Sequence, residues 1–291
     1  MILVTGGGGQ VATELAARAA GRVVRVGRPS FDFDRPDSIA EVVRAVRPSL
    51  VVNAAAWTGV DAAEANVDAA MRANRDGPAE LARLCAEAGI PLIHLSTDYV
   101  FDGLKGEPYT ESDATSPTGV YGATKLAGEQ AVFAACNQAV VLRTSWVYVA
   151  TGKNFIRTML GAALKTDTLR VVSDQRGCPT NAGDLANGIL TIASRIAAGW
   201  RPDYAGVFNA AGTGETTWYE LAVAAFEAAA NHGRPMPTVH AIRTADWPTP
   251  AARPADSRLD CAKMERVFGV RLPPWQPSLA RTVAEIIAAG S

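Results

Sequence analysis

The chain has 291 residues, 48% of them hydrophobic and 20% charged, and its formal net charge is −1. This length and composition are typical of a globular protein with one large domain and an appended lobe, or with two domains. The balanced charge excludes the broad basic surface that nucleic-acid and membrane-surface proteins need, but it leaves room for a local pocket that binds a small anion.

Three further features narrow the class of protein. No apolar run approaches the roughly 18 residues of a membrane span, and the N-terminal "MILVTGGGG" lacks the pattern of a cleavable signal peptide. The four cysteines, Cys85, Cys136, Cys178 and Cys261, form no CxxC pair, which disfavours a zinc site or a disulfide framework. We therefore expect a cytoplasmic protein with free thiols, no membrane partner and no nucleic-acid partner.

The first 150 residues alternate between two hydrophobic periods. The predicted strands span 1–5, 22–26, 50–53, 91–96 and 139–145, and the predicted helices span 10–20, 36–46, 61–89 and 121–136. Because these strands are apolar throughout rather than alternating, they predict a parallel sheet with helices on both faces. The predicted fold class is therefore α/β, with a Rossmann-like, doubly wound sheet.

After residue 150 the pattern loosens. Helical spacing continues in 154–164, 181–199 and 217–233, strands are predicted over 169–174 and 206–212, and prolines cluster from 233 to 277. We expect long ordered loops in that proline-rich stretch. The sequence thus predicts a Rossmann domain over 1–150, to which segments near 176–212 return, and a smaller C-terminal α/β substrate-binding lobe over 151–291.

The glycine-rich stretch "TGGGGQVA" follows the first strand and opens the first helix. It reads as Gly6-x-x-Gly9-x-x-Ala12, a spacing that lets the backbone approach a pyrophosphate while the N–H groups of the helix face the anion. Its place at the first strand-to-helix turn of an alternating pattern predicts dinucleotide binding rather than a plain tight turn.

The end of the second strand selects the dinucleotide. Arg28 stands where an NAD-specific site usually carries a carboxylate, and a guanidinium suits a 2′-phosphate by its charge and its bidentate geometry. NADPH is therefore predicted for the 1–150 domain, with NADH as a second accepted cofactor. A solvated surface arginine is the structural alternative. Asp32 and Phe33 are expected near the adenine ring, unless they are a loop carboxylate and a buried ring.

The third and fourth strands end in small and polar residues. Asn53 and the alanines after it leave room for a flat cofactor, although close helix–sheet packing explains the alanines equally well. Ser96, Thr97 and Asp98 follow the fourth apolar run, where hydroxyl groups can hold the polar atoms of a substrate. His94, inside that run, is predicted to be a core histidine.

"VYGATKLAGE" places Tyr121 four residues before Lys125. At that spacing the phenol and the ammonium share one face of a helix. A nearby cation lowers the pKa of a phenol, and such a tyrosine can protonate a carbonyl oxygen while a hydride reaches the carbon. The lysine can also hold the ribose hydroxyls of a nicotinamide cofactor. A pair on the helix surface is the structural alternative.

Together these motifs resemble the extended short-chain dehydrogenases/reductases, and within them the dTDP-4-dehydrorhamnose reductase family. The resemblance is carried from end to end by "VNAAAWTGVDAAE", "HLSTDYVFDG", "SPTGVYGATKLAGE", "LRTSWVY", "NFIRTML", "DQRGCPT" and "WPTPAARPADSRLD". It implies NADPH-dependent reduction of the C4 keto group of dTDP-4-dehydro-L-rhamnose to dTDP-L-rhamnose, a step of polysaccharide biosynthesis.

The resemblance also implies a role for individual residues. Tyr121 would protonate O4 of the keto-sugar, Thr97 would hydrogen-bond the same oxygen, and Lys125 would complete the catalytic set. The residues implied to hold the cofactor are Gly6, Gly9, Gln10, Val11, Asn53, Ala54, Ala55 and Thr58, together with Tyr121 and Lys125.

Besides Thr97, five residues are implied to contact the substrate. Val60, Asp98 and Trp146 would touch the sugar, with ordinary core packing as the alternative for Trp146. Arg253 and Ser257 would lie towards the nucleotide, with a solvated loop charge as the alternative for Arg253. Some members of the family bind Mg²⁺ between subunits through glutamates. Glu14 matches one of these, but no others can be placed, so we predict no metal.

Three other functions are compatible with parts of the pattern. A sugar dehydratase is disfavoured, because Tyr99 stands where those enzymes carry a glutamate. A sugar epimerase can use the same tyrosine and lysine, but it keeps NAD bound. A non-catalytic NADP-binding subunit, like the regulatory subunit of methionine adenosyltransferase, shares the fold and the cofactor site. The expected partners are a nucleotide-sugar substrate and, in a homodimer, a second copy of the chain.

Overall fold

Strands and helices alternate through the first half of the chain. A computed structural model describes residues 1–290. The strands are β1 (Ile2–Thr5), β2 (Val23–Arg25), β3 (Leu50–Asn53), β4 (Leu92–Thr97), β5 (Ala139–Thr144), β6 (Val147–Tyr148), β7 (Thr168–Val172), β8 (Arg176–Gly177), β9 (Thr180–Asn181), β10 (Gly206–Asn209), β11 (Thr216–Thr217) and β12 (Thr238–Ile242). The helices are α1 (Gln10–Arg18), α2 (Pro36–Val46), α3 (Val60–Glu64), α4 (Val67–Met71), α5 (Gly77–Glu87), α6 (Val120–Ala135), α7 (Phe155–Ala163), α8 (Ala182–Ala197), α9 (Trp218–Ala230), α10 (Ala262–Phe268) and α11 (Trp275–Ala288). A π-helical turn spans Arg72–Asp76. Within residues 1–290, no helix is long and apolar enough to cross a membrane.

Six parallel strands form the main sheet, in the order β2-β1-β3-β4-β5-β10. The chain runs from β1 to β2 at one edge and then returns past β1 to β3 on the other side. Connections on the two sides of β1 therefore run in opposite directions, which opens a crevice at the carboxyl ends of these strands. The predicted α/β class with a doubly wound parallel sheet is confirmed.

Both faces of this sheet are covered by helices. Val4 of β1 packs with α1 and α8, whereas its neighbour Leu3 packs with α2 and α5. β3 and β5 are buried along their whole length. Burial of apolar surface stabilises a fold by roughly 25 cal/mol per Å². Strands covered on both sides are therefore mainly apolar, and polar residues such as Asn53 stand at their carboxyl ends.

A smaller lobe is built from the second half of the chain. β7 pairs in parallel with β12, and Val171 of β7 packs with Phe226 of α9. α9 and α11 share a further buried cluster with Tyr148 of β6. Between these elements the chain returns to the main sheet, because α8 packs with α1 and β10 pairs with β5.

Two predicted segments differ from the structure. The helix expected over 61–89 is broken, since the Asn66 side chain donates to the Ala62 carbonyl oxygen at 2.7 Å and interrupts the helical pairing. The loops expected over 233–277 contain β12, α10 and the start of α11. Pro237 directly precedes β12 and Pro274 directly precedes α11, and pairing with β7 overrides the local loop signal.

Candidate active site

The glycine-rich turn between β1 and α1 lies against the end of β3. Gly6 has a φ of +87°, and a Cβ at this position would lie 2.6 Å from the Ala54 carbonyl oxygen. Only glycine permits that approach. A cavity of about 840 Å³, here called the glycine cavity, is lined by this turn, by the segment after β2 and by the alanines after β3.

Arg28, Asp32 and Phe33 all line the glycine cavity. The Arg28 side chain is 68% exposed, and its guanidinium pairs with the carboxylates of Asp32 and Asp34 at 3.0 and 2.8 Å. Phe33 packs edge-on against Phe31. The guanidinium is therefore accessible to a ligand, but two carboxylates compete for it with any phosphate.

A second cavity, of about 550 Å³, adjoins the first and is here called the tyrosine cavity. The residues that line both cavities are Gly8, Gly9, Ala54, Ala56 and Thr58. Gln10 and Val11, at the start of α1, line the tyrosine cavity only. Oε1 of Gln10 is buried and has no hydrogen-bond partner within residues 1–290, so it can accept a hydrogen bond from a ligand.

Asn53 differs from its predicted role. It lines neither cavity, and its amide oxygen accepts hydrogen bonds from the Thr5 hydroxyl at 2.6 Å and from the Ala55 N–H at 3.2 Å. It therefore holds the cavity-lining backbone in place instead of facing a ligand. Its amide nitrogen lies 2.9 Å from Nδ1 of His94, which is fully buried. The prediction of a core histidine is confirmed.

Thr97, Tyr121 and Lys125 all line the tyrosine cavity. Thr97 ends β4, and the other two residues lie on the first turns of α6. The Thr97 hydroxyl lies close enough to the phenol of Tyr121 to influence its pKa, while the Lys125 ammonium donates to the Leu95 carbonyl oxygen at 2.6 Å. The structure thus brings a phenol, a hydroxyl and an ammonium to one space.

Burial is the main influence on the pKa values of Tyr121 and Lys125. It raises the pKa of Tyr121 to about 12, although the nearby Thr97 hydroxyl acts in the opposite direction, and the Asp98 carboxylate adds to the rise. It also lowers the pKa of Lys125 to about 8, against the field of Glu129. The predicted lowering of the tyrosine pKa is therefore wrong, because lost hydration dominates and the ammonium is bonded to a backbone carbonyl. At pH 7 the phenol is neutral, the form that can donate a proton.

Asp98 lies beside this set and is 2% exposed. Its Oδ1 accepts a hydrogen bond from the Thr97 hydroxyl at 3.1 Å. Burial raises its pKa to about 6, although hydrogen bonds from Ser257 and Thr97 act in the opposite direction. Oδ2 is buried and unpartnered within the described chain. In its ionised form this oxygen can only accept, so the group that satisfies it is a donor such as a hydroxyl.

Val60 and Trp146 also line the tyrosine cavity. Trp146 has a φ of +46°, which is uncommon for a residue with a bulky side chain. Its ring stacks on Trp218, with the centroids 3.6 Å apart and the planes 8° from parallel. Ser257 is buried near Asp98 and lines none of the cavities described here, and its N–H donates to the Arg176 carbonyl oxygen at 2.9 Å.

Arg253 lines a third cavity, of about 620 Å³, here called the β7 cavity. The strand β7 and the rings of Phe155, Trp218 and Trp247 form much of its wall. The Arg253 side chain is 17% exposed and pairs with Asp61 at 2.8 Å. It is therefore a partly buried, paired arginine rather than a solvated loop charge.

Two polar residues that the sequence analysis did not single out hold α6 in place. Oε1 of Glu64 accepts the N–H of Val120, the first residue of α6, at 2.8 Å. Asn74 donates to the Thr124 hydroxyl at 3.0 Å and accepts the N–H of Trp57 at 2.8 Å. Both lie in the segment predicted as one helix, where a buried asparagine among apolar positions was the available signal.

Glu14 is the one glutamate that matched a metal ligand of related proteins. Its carboxylate forms an ion pair with Arg18, one turn further along α1. Across residues 1–290, no group of three or more histidines, cysteines or carboxylates is arranged to hold a metal ion.

A family model and known proteins match this chain over nearly its whole length. The family model described as "RmlD substrate binding domain" matches residues 1–288. A dTDP-4-dehydrorhamnose reductase of Sinorhizobium fredii is 44% identical over 291 residues, which cover 99% of this chain and 98% of that protein.

Two solved structures carry the same enzyme name. The dTDP-4-dehydrorhamnose reductase of Clostridium acetobutylicum is 34% identical, with a TM-score of 0.90 and coverage of 97% of this chain and 98% of that one. The enzyme of Bacillus anthracis, solved in complex with NADP, is 31% identical, with a TM-score of 0.88 and coverage of 98% of each chain.

Proposed function

The chain belongs to the RmlD substrate-binding-domain family, and its relatives include dTDP-4-dehydrorhamnose reductases; we propose that it reduces the C4 keto group of dTDP-4-dehydro-L-rhamnose with NADPH. It is thereby an NAD(P)-dependent oxidoreductase. The observation that carries the proposal is the meeting of Thr97, Tyr121 and Lys125 in a cavity that adjoins the glycine cavity.

The residues around the two adjoining cavities fit a dinucleotide. Gly6 has no Cβ, so the backbone of the turn is open to a ligand. The buried Oε1 of Gln10 needs a hydrogen-bond donor. Gly9 and Val11 would hold the pyrophosphate beside Gln10, and Arg28 would hold the 2′-phosphate. NADPH, when bound, supplies a hydride to the carbonyl carbon.

Residues of the tyrosine cavity would supply the proton that this reduction requires. As negative charge develops on O4 of the sugar, the neutral phenol of Tyr121 donates its proton to that oxygen. The Thr97 hydroxyl, which lies near the phenol, would turn from Asp98 and donate to the same oxygen. The Lys125 ammonium stabilises the phenolate that remains and binds the ribose hydroxyls of the cofactor.

The polar wall of the cavity supports a sugar as the ligand. Oδ2 of Asp98 requires a donor such as a sugar hydroxyl. The ring of Trp146 and the side chain of Val60 offer apolar surface to the C–H faces of the sugar. Arg253, in the neighbouring β7 cavity, would face the nucleotide portion.

NADPH consumption, measured with dTDP-4-dehydro-L-rhamnose generated in situ, tests this function. We expect rapid, substrate-dependent loss of NADPH absorbance and formation of dTDP-L-rhamnose. Binding of NADPH without turnover of this sugar would contradict the proposal. Turnover of a different 4-keto sugar would then indicate another nucleotide-sugar reductase, and the absence of any turnover would indicate a non-catalytic NADP-binding subunit.

A further inference from the structure

We propose that the junction between the tyrosine cavity and the β7 cavity binds the diphosphate of the substrate, and that Lys153 is its principal cation. This inference rests on the proposed function, because it takes the ligand to be a nucleoside diphosphate sugar. It assigns a chemical role to a residue that no motif marked.

The two cavities share a boundary that an extended ligand must cross. Three pairs of neighbouring residues mark it, with one member lining each cavity: Val60 and Asp61, Asn154 and Phe155, and the stacked rings of Trp146 and Trp218. A nucleotide sugar that places its keto carbon near Tyr121 and its base in the β7 cavity carries its diphosphate over this boundary.

Lys153 lies at that boundary. It lines the tyrosine cavity and directly precedes Asn154 and Phe155, so its backbone sits where the two cavities meet. The loop that carries it is held from both ends. Nδ2 of Asn154 donates to the Val149 carbonyl oxygen, and Nη1 of Arg157 donates to the Ala150 carbonyl oxygen, both at 2.8 Å.

The ammonium of Lys153 is available to a ligand. The side chain is exposed, and within residues 1–290 no carboxylate forms an ion pair with it. An ammonium on a four-carbon stem can follow a phosphate group as a mobile point charge. The backbone of Lys153 is fixed by the loop, whereas its side chain can move. This combination allows the ammonium to bind and release a phosphate group in each turnover.

Three other basic residues line the two cavities, and two of them are already engaged by groups of the protein. Lys125 is buried and donates to the Leu95 carbonyl oxygen, and Arg253 pairs with Asp61. Arg170 lines the β7 cavity only. A diphosphate at the boundary therefore meets Lys153 as its unpaired cation, whereas Arg253 of the β7 cavity is partly neutralised by Asp61.

Calorimetric titration of dTDP and of thymidine into the full chain tests this assignment. Lys153→Gln is expected to weaken dTDP binding about 10-fold, because it removes one charge-assisted contact to phosphate. Thymidine and NADPH, which do not place a diphosphate at the boundary, should bind as in the wild type. Lys153→Arg should restore most of the dTDP affinity, and in turnover Lys153→Gln should raise KM while kcat stays close to the wild-type value.

Lys165→Gln is the matched control, because Lys165 is also exposed but lines none of the three cavities. It should bind dTDP as tightly as the wild type. Equal dTDP affinity for wild type and Lys153→Gln would overturn the assignment and leave the proposed function standing. Failure of the wild-type protein itself to bind dTDP would overturn the proposed function together with this inference.

Discussion

Single residues in the tyrosine cavity owe their chemistry to burial. Tyr121 and Asp98 both have raised pKa values, and Lys125 has a lowered one, because each loses hydration at the carboxyl end of the sheet. A tyrosine that stays neutral at the working pH is a proton donor in its resting form. In the proposed mechanism the lysine is needed chiefly after proton transfer, when a phenolate is present beside it.

Tyr121→Phe removes the phenol and keeps the ring. We expect turnover to fall by roughly 10²-fold or more, because the proton donor to O4 is lost. NADPH affinity should stay close to the wild-type value. Steady-state kinetics and a fluorescence titration with NADPH measure the two quantities. Tyr219→Phe on α9 is the control and should turn over normally, whereas near-normal turnover of the Tyr121 variant would remove the proposed donor.

Arg28→Ala tests the assignment of the 2′-phosphate. We expect about 10-fold weaker binding of NADPH, from loss of a charge-assisted contact, and little change for NADH. Titration of both cofactors into the variant measures the difference. Arg44→Ala, an exposed change on α2, should affect neither cofactor. Equal losses for NADPH and NADH in the Arg28 variant would contradict the assignment.

At the scale of secondary-structure elements, α6 is positioned by groups from other parts of the chain. Its N-cap, Gly119, has no side chain with which to accept the free N–H groups of the first turn. Glu64 of α3 supplies an oxygen to the Val120 N–H, and Asn74 from the π-helical turn bonds Thr124. The helix that carries Tyr121 and Lys125 is therefore anchored to the segment between β3 and β4.

Glu64→Ala removes this cap. We expect the free energy of unfolding to fall by about 1 kcal/mol, since both a hydrogen bond and a negative charge at the helix N-terminus are lost. Turnover should also fall, because Tyr121 follows the capped residue directly. Urea denaturation and steady-state kinetics measure both effects. Glu87→Ala, at an exposed position of α5, should change neither, and a Glu64 variant with wild-type stability would contradict this role.

At the scale of the whole molecule, a buried ionic cluster joins distant segments of the chain. Arg258 donates to Asp256 at 2.6 Å, to Glu215 at 2.6 Å and to the Gly106 carbonyl oxygen at 2.8 Å. Arg258 and Asp256 are each 7% exposed. The segment that carries Ser257, close to Asp98, is thereby tied to the loop after β4 and to the lobe.

Arg258→Met leaves the Asp256 carboxylate buried without its main partner. We expect the free energy of unfolding to fall by about 3 kcal/mol, which is typical when one member of a buried ion pair is removed. Denaturant unfolding of the full chain measures this loss. Arg201→Met breaks an ion pair with Asp203 whose members are 62% and 45% exposed, and it should cost less than about 1 kcal/mol. Similar losses for the two variants would contradict a special role for the buried cluster.

Three features could be predicted from the residues alone: the strands of the main sheet, the glycine turn at Gly6 and the placement of Tyr121 and Lys125 on one helix. These features follow from hydrophobic period and short spacings, which are local properties of the chain. Whether segments far apart pack together is not local. Packing between distant segments is therefore what raises the pKa of Tyr121, brings Ser257 close to Asp98 and forms β12 beside β7. The same packing places Lys153 where two cavities meet.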